Sequence, residues 1–128
     1  MILLVEDNLM NQRLGLLQLK KLGYQAEAVS NGHEAVTTVA LGRYALVLMD
    51  CQMPEMDGFE ATVQIRQQEL GTSTHIPIIA LTANAMPSDR QACLAAGMDD
   101  YLSKPVRMEE LRAMLERWIT PGAVERGT

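Results

Sequence analysis

Five polar residues with chemically useful side chains each follow closely on a short apolar run. They are Glu6, Asp7, Asp50, Thr82 and Lys104. Carboxylates gathered in one place repel one another, so either their pKa values rise or a cation neutralises them. Oxygen ligands without histidine or cysteine favour a hard ion such as Mg²⁺. If the three acidic side chains meet, the sequence therefore predicts a magnesium site.

The other two side chains would complement a bound anion. Thr82 can donate a hydroxyl proton to one oxygen of an oxyanion, and Lys104 can pair with another. With a cation beside them, this set suits a phosphoryl group, and Asp50, central among the five, is the natural nucleophile. The chemistry would be an in-line transfer onto a carboxylate that gives an acyl phosphate. No P-loop or GxGxxG nucleotide-binding run is found in the sequence.

The elements that must position these residues follow from an alternation of short apolar runs with longer helical patterns, which is typical of βαβ units around a parallel sheet. The predicted strands are residues 2–5, 25–29, 45–49, 76–81 and a short run around 101–102. Three are apolar almost throughout, which indicates a sheet covered by helices on both faces. We therefore expect an α/β fold with a doubly wound, five-stranded parallel sheet in the order 2-1-3-4-5. All five polar residues would then meet at the carboxyl edge of the sheet, where ligands bind in such folds.

Five helices are predicted between and after the strands. Glycines at 23, 42, 71 and 97 stand where helices should end. The predicted helices are residues 8–22, 32–41, 57–70, 87–96 and a last one that carries Leu111, Met114, Leu115 and Trp118 on one face. We expect residues 1–120 to form one domain and residues 121–128 to be a flexible tail or the start of a linker.

Composition excludes several classes of protein. The chain has 128 residues, 48% of them hydrophobic, and lacks a run long enough to span a membrane. The net charge is -5, and the basic residues are scattered, which argues against direct nucleic-acid binding. No basic segment precedes the apolar start, so we expect a cytoplasmic protein without membrane contact. We also expect Cys51 and Cys93 to be reduced, inert thiols and the chain to be a monomer.

Some features have ordinary structural interpretations. His33 and His75 are expected to be surface rings without partners. Asp99 and Asp100 are expected to be solvated charges. The first helix carries more leucines than one buried stripe needs, and two interpretations stay open: a docking face for a kinase or phosphotransfer helix bundle, or scattered surface residues.

Four motifs in order resemble the receiver domains of two-component response regulators, including the chemotaxis response regulator. They are Val5-Glu6-Asp7-Asn8, the stretch from Met49 to Gly58, Ala80-Leu81-Thr82-Ala83, and Tyr101-Leu102-Ser103-Lys104-Pro105. The resemblance implies a flavodoxin-like fold, with Asp50 as the residue that is phosphorylated from a phosphohistidine. It also implies that Asp7, Asp50 and the backbone carbonyl of Gln52 hold Mg²⁺, with Glu6 helping through water.

The same resemblance implies a switch. Thr82 would turn toward the phosphoryl group, Tyr101 would move inward behind it, and a cis peptide before Pro105 would aim Lys104 at the site. The charge of a phosphoryl group is large enough to bias such a packing change.

A finer resemblance is to the receivers of hybrid sensor histidine kinases. It implies a phosphorelay, with a sensor histidine kinase domain and a histidine-containing phosphotransfer domain as partners. The isolated domain would catalyse only its own phosphorylation and dephosphorylation. Three alternatives are a stand-alone single-domain response regulator, a receiver that merely binds a partner, and an aspartyl-phosphate phosphatase of the haloacid dehalogenase type. The phosphatase is disfavoured because such enzymes need a second Asp where this chain has Gln52.

Overall fold

The fold is built from five β/α units. The computed structural model describes residues 1–51, 58–82 and 87–119, without the side chains of 87–89. The strands are β1 (Ile2–Val5), β2 (Ala26–Val29), β3 (Leu46–Asp50), β4 (Ile78–Thr82) and β5 (Asp100–Ser103). The helices are α1 (Leu9–Lys21), α2 (Gly32–Val39), α3 (Gly58–Glu69), α4 (Pro87–Ala96) and α5 (Met108–Trp118). The predicted tail at 121–128 lies outside the described residues.

The strands form one parallel sheet in the order β2-β1-β3-β4-β5. Neighbouring strands are in register without a bulge, so that Leu4 lies beside Leu48 and Leu48 beside Ile79. The predicted flavodoxin-like architecture and strand order are therefore confirmed.

Helices cover both faces of this sheet. Because successive side chains of a strand point to opposite faces, residues such as Leu3 and Val5 enter one core, and Ile2 and Leu4 enter the other. The first core contains buried residues of α2, α3 and α4, and the second contains buried residues of α1 and α5. Burying both faces explains why β1, β3 and β4 are apolar almost throughout.

Side-chain caps fix where the first two helices begin. Asn8 accepts a hydrogen bond from the backbone N–H of Asn11 (3.0 Å), and Asn31 accepts one from Glu34 (2.8 Å). Each cap satisfies an N–H that lacks a partner within the helix, and such a cap contributes about 1 kcal/mol. Among the described helices, none combines the length and the apolar character needed to cross a bilayer.

Two strands end later than predicted. Asp50 and Thr82 are the last residues of β3 and β4 instead of following them, because Asp50 pairs with Leu81 and Thr82 with Ser103. The pairing of the backbone continues through these polar positions, although the apolar pattern stops before them. The shift by one residue leaves both side chains at the carboxyl edge.

The opposite edge of the sheet is held by a partly buried ion-pair network around Arg66. Its guanidinium contacts Asp99 and Glu69, both at 2.8 Å, and donates to the carbonyls of Gly97 (2.9 Å) and Ile76 (2.8 Å). Only 14% of the Asp99 side chain is exposed, so the prediction that it is solvated was wrong. The network ties α3 to the start of β5.

Two further expectations fail at this edge. Asp100 accepts a hydrogen bond from the indole N–H of Trp118 (3.2 Å) and pairs with Arg117 (3.4 Å), so it is not a solvated charge. His75 is exposed, as expected, but its ring contacts Asp99 at 2.8 Å and therefore has a partner. All three contacts join segments that are distant in the sequence, which no local pattern reveals.

Candidate functional site

The acidic cluster forms where β1 and β3 end side by side. Val5 pairs with Met49, so that Glu6 and Asp7 come beside Asp50 at the carboxyl edge. One carboxylate oxygen from each of the three lies within 4.8 Å of the others. The structure thus brings together the three acidic residues that the sequence indicated.

Glu6 is the most constrained of these carboxylates. It is 3% exposed, and its two oxygens accept from the Asn8 backbone N–H (3.3 Å) and from the Lys104 ammonium (3.2 Å). Burial and the charge of Asp50 raise the pKa of Glu6 above its ordinary value, although Asn8 and Lys104 act in the opposite direction. The ionised Glu6 carboxylate is therefore destabilised unless another positive charge binds beside it.

Lys104 places a positive charge against the acidic cluster. Its Nζ lies 3.1 Å from Asp50 Oδ2 and 3.2 Å from Glu6 Oε1. Its backbone N–H donates to the carbonyl of Thr82 (2.8 Å), and the Lys104-Pro105 bond is cis, as predicted. Burial lowers the pKa of Lys104, but the contacts with Asp50 and Glu6 outweigh this effect and leave it raised. The ammonium therefore stays charged.

The donor set fits a magnesium ion. Three ionised carboxylates and one ammonium leave an excess of about two negative charges, which a divalent cation would balance. Glu6 and Asp50 are buried and Asp7 is exposed, so protein oxygens lie on one side and solvent on the other. Mg²⁺ prefers such a site because it keeps several waters. The predicted ligand Gln52 lies outside the described residues.

The predicted switch residues lie along β4 and β5. Thr82 is buried. It follows Leu81, which pairs with Asp50, so Thr82 lies at the same edge of the sheet on the neighbouring strand. Tyr101 pairs with Ala80, two residues behind Thr82, and is half-buried against the core. The guanidinium of Arg90, on α4, lies 5.7 Å from the centroid of the Tyr101 ring.

Two residues near the site escaped the sequence analysis. Gly58 packs against the end of β3, where an added Cβ would lie 2.4 Å from the backbone oxygen of Asp50. Gln12, on α1, donates from its amide to the backbone carbonyl of Glu6. Gly58 ends one of the quoted motifs, but nothing in the sequence indicates its close approach to β3, and a lone glutamine in a helix has no local signal.

The two cysteines lie directly beneath the site. Cys51 follows Asp50, and its Sγ is 3.9 Å from that of Cys93 on α4, with both side chains buried. Burial, helped by the neighbouring thiol, raises the pKa of Cys51 far above its ordinary value. Because the thiolate is the reactive form, this environment suppresses thiol chemistry.

Comparison with known families decides what kind of domain carries this site. The chain matches the response regulator receiver domain family over residues 2–116. It belongs to that family. This receiver domain is therefore a module of two-component phosphorelay systems, and the phosphatase alternative is not favoured.

Curated relatives of this receiver are much longer proteins. Hybrid signal transduction histidine kinase B of Dictyostelium discoideum is 47% identical over 119 residues, which cover 86% of this chain but 6% of that protein. The sensor histidine kinase GacS of Pseudomonas protegens is 42% identical over 118 residues, covering 91% of this chain and 13% of that protein. The receiver thus spans only a small part of each relative.

Solved structures share both fold and sequence with this receiver. The receiver domain of the sensor histidine kinase PA1611 from Pseudomonas aeruginosa, solved with magnesium in its active-site cleft, is 51% identical with a TM-score of 0.83, over 92% of this chain and 95% of that one. The receiver of Ssk1 from Saccharomyces cerevisiae, co-crystallised with the histidine phosphotransfer protein Ypd1, gives 34% identity and a TM-score of 0.85, over 91% and 86% of the two chains.

Proposed function

We propose that Asp50 accepts a phosphoryl group from a phosphohistidine, with Mg²⁺ held by Glu6, Asp7, Asp50 and the backbone carbonyl of Gln52. The observation that carries this proposal is the 3.1 Å contact between the Lys104 ammonium and Asp50, inside a cluster of three carboxylates. The ammonium orients Asp50 and stands where charge would accumulate on an incoming phosphoryl oxygen. Support for the cation comes from the magnesium in the PA1611 receiver.

In the transfer, an Asp50 carboxylate oxygen forms a bond to phosphorus while the bond between phosphorus and the imidazole nitrogen of the donor breaks. The imidazole leaves as the electrons return to its nitrogen, and the product is an acyl phosphate. Bound Mg²⁺ would supply charge neutralisation for the phosphoryl oxygens. Lys104 pairs with one such oxygen, and the hydroxyl of Thr82 donates to another.

The switch that we propose starts from Thr82. When its hydroxyl turns toward the phosphoryl group, it vacates space along β4, and the ring of Tyr101 can move into it. Pro105 shapes the backbone beside Lys104 and so keeps the ammonium directed at the site. A phosphoryl charge of about -1.5 to -2 is sufficient to favour one of two packings.

The partner that we propose is a histidine-containing phosphotransfer domain, which docks on α1. Leu9, Met10, Leu14 and Leu17 are 67%, 80%, 57% and 49% exposed, so α1 offers apolar side chains that a partner could bury. A cavity of about 340 Å³ lies beside them, and its lining includes both Leu14 and the site residue Lys104. An apolar contact here would therefore hold a donor histidine close to Asp50.

The setting of the domain is also a proposal. Similarity to long sensor kinases suggests that the chain functions as the receiver of a hybrid histidine kinase, with residues 1–120 as the working unit. We infer that it acts as a monomer in the cytoplasm, where a kinase domain has access to ATP. As an isolated domain it would catalyse only reactions of its own acyl phosphate.

Intact-mass measurement after incubation with Mg²⁺ and acetyl phosphate tests the phosphoacceptor proposal. We expect one added phosphoryl group in the wild type and in Glu27→Gln, a carboxylate change on β2 away from the site. We expect none in Asp50→Asn or without Mg²⁺. An adduct that persists in Asp50→Asn contradicts the assignment. If neither acetyl phosphate nor a phosphohistidine donor gives an adduct, the domain acts only by binding a partner.

The docking proposal is tested by truncating one leucine of α1. Leu14→Ala should slow transfer from a phosphorylated histidine phosphotransfer protein by about tenfold, as loss of an apolar anchor does. Its reaction with acetyl phosphate should be unchanged. Leu70→Ala, which truncates a 77% exposed leucine beyond α3, is the matched control. Equal transfer rates in the two variants would show that α1 does not form part of the interface.

A further inference from the structure

A glutamine of α1 connects the acidic pair to the neighbouring strand. The side-chain nitrogen of Gln12 lies 2.5 Å from the carbonyl oxygen of Glu6, 3.2 Å from that of Val29 and 3.1 Å from the hydroxyl of Ser30. Two of these three groups are carbonyl oxygens, which can only accept. The amide must therefore present its NH₂ group to them, so its orientation is determined by its partners.

The first of these bonds acts on a particular peptide unit. The carbonyl of Glu6 belongs to the peptide that links Glu6 to Asp7, and a peptide unit is planar. Holding its oxygen fixes the plane, and with it the backbone angles on either side that direct the two side chains. One amide therefore restrains two of the three carboxylates of the cluster.

The other end of the restraint is rigid. Val29 ends β2 and its carbonyl also accepts from the Glu6 backbone N–H (3.1 Å). The backbone N–H of Ser30 donates to Glu34 on α2 (2.7 Å), and the next residue, Asn31, caps that helix. Gln12 thus ties the loop after β1 to a turn that is itself anchored at two points.

We propose that Gln12 is a positioning residue for the magnesium site: it locks the Glu6-Asp7 peptide plane and so sets the affinity of the acidic cluster for the cation. This inference rests on the proposed function, because it needs the cluster to bind Mg²⁺. Groups that orient metal ligands without touching the metal commonly change metal affinity by about 10- to 100-fold when they are lost.

The test compares two glutamine-to-methionine variants of the same helix. Gln12→Met keeps the length of the side chain and removes its donors. Gln18→Met is the control, since Gln18 is also half-buried on α1 and donates to a backbone carbonyl, that of Val106 (3.2 Å). The Mg²⁺ dissociation constant of the unphosphorylated protein is measured by NMR titration with MgCl₂, with the thermal midpoint recorded for each variant.

The expected result is a dissociation constant raised about tenfold in Gln12→Met and unchanged in Gln18→Met. Phosphorylation of Gln12→Met by acetyl phosphate should be slow at low Mg²⁺ and return to the wild-type rate at saturation. Wild-type affinity in Gln12→Met overturns the inference, and so does an equal loss in both variants, which would mean general loosening of α1.

Two further outcomes are decisive. If the wild type binds no Mg²⁺, the proposal that the acidic cluster binds this ion is wrong, and so is the proposed role of Gln12. If Gln12→Met does not fold, the wild-type protein is used instead. A scalar coupling across the hydrogen bond between the Gln12 side-chain nitrogen and the Glu6 carbonyl carbon, kept when Mg²⁺ is added, supports the inference, and its absence overturns it.

Discussion

Replacing Gly58 by alanine places a Cβ against the backbone beneath Asp50. That carbon would lie 2.4 Å from the Asp50 carbonyl oxygen and 3.1 Å from the Cα of Cys51. Both are backbone atoms, so neither can turn away as a side chain could. Either the first turn of α3 or the end of β3 must shift.

The size of the shift follows from the contact distance. Cβ atoms essentially never approach another heavy atom closer than 3.0 Å, so the first turn of α3 and the end of β3 must separate by about 0.6 Å. Overpacking of this kind costs about 1–3 kcal/mol of stability. A displacement approaching 1 Å at a reacting group can cost up to about 100-fold in rate, so we expect phosphorylation of Gly58→Ala to slow by about tenfold.

The assay is the rate of phosphorylation by acetyl phosphate at saturating Mg²⁺, with urea unfolding in parallel. Gly15→Ala is the control, because its Cβ would meet only the flexible end of the Leu4 side chain, at 2.7 Å, and alanine favours a helix. That variant should stay within about 1 kcal/mol of the wild type. A Gly58→Ala protein with wild-type rate and stability would refute the reasoning.

Three other predictions follow from the described contacts. Lys104→Met should slow phosphorylation by about 100-fold while the protein stays folded, because one preorganised charge at the phosphoryl oxygens is lost; stopped-flow kinetics and circular dichroism measure the two effects. Arg66→Met should cost about 2–4 kcal/mol in urea unfolding, since it removes the guanidinium that pairs with two largely buried carboxylates. Arg43→Met, at an exposed pair, should cost less than about 1 kcal/mol, and similar losses would contradict this. A thiol reagent should label neither Cys51 nor Cys93 in the native protein and both after denaturation, and rapid native labelling would contradict their burial.

Much of the fold could be predicted because it depends on patterns that are local in the sequence. The continuous apolar runs of β1, β3 and β4 indicate strands buried on both faces, and the expected strand order was confirmed. The ends of β3 and β4 were predicted one residue early, because pairing in a parallel sheet continues through Asp50 and Thr82 whatever their polarity.

The parts that could not be predicted depend on contacts between distant segments. Asp99 looks like an ordinary surface charge until β5 packs beside α3 and brings it to Arg66, 33 positions away. Gln12 reaches Ser30 only because α1 and the end of β2 meet over the edge of the sheet. The contact partner of each residue depends on how whole helices and strands pack together, and local residue types and spacing do not reveal that packing.

The most direct test of the central claim is to locate the phosphoryl group chemically. After phosphorylation with Mg²⁺ and a phosphohistidine donor, borohydride reduces an acyl phosphate of aspartate to homoserine, which peptide mass spectrometry assigns to a position. We predict homoserine at position 50 alone, and only when both Mg²⁺ and the donor are present. Homoserine at another aspartate, or a phosphorylated protein without any homoserine, would contradict the assignment of Asp50 as the phosphoacceptor.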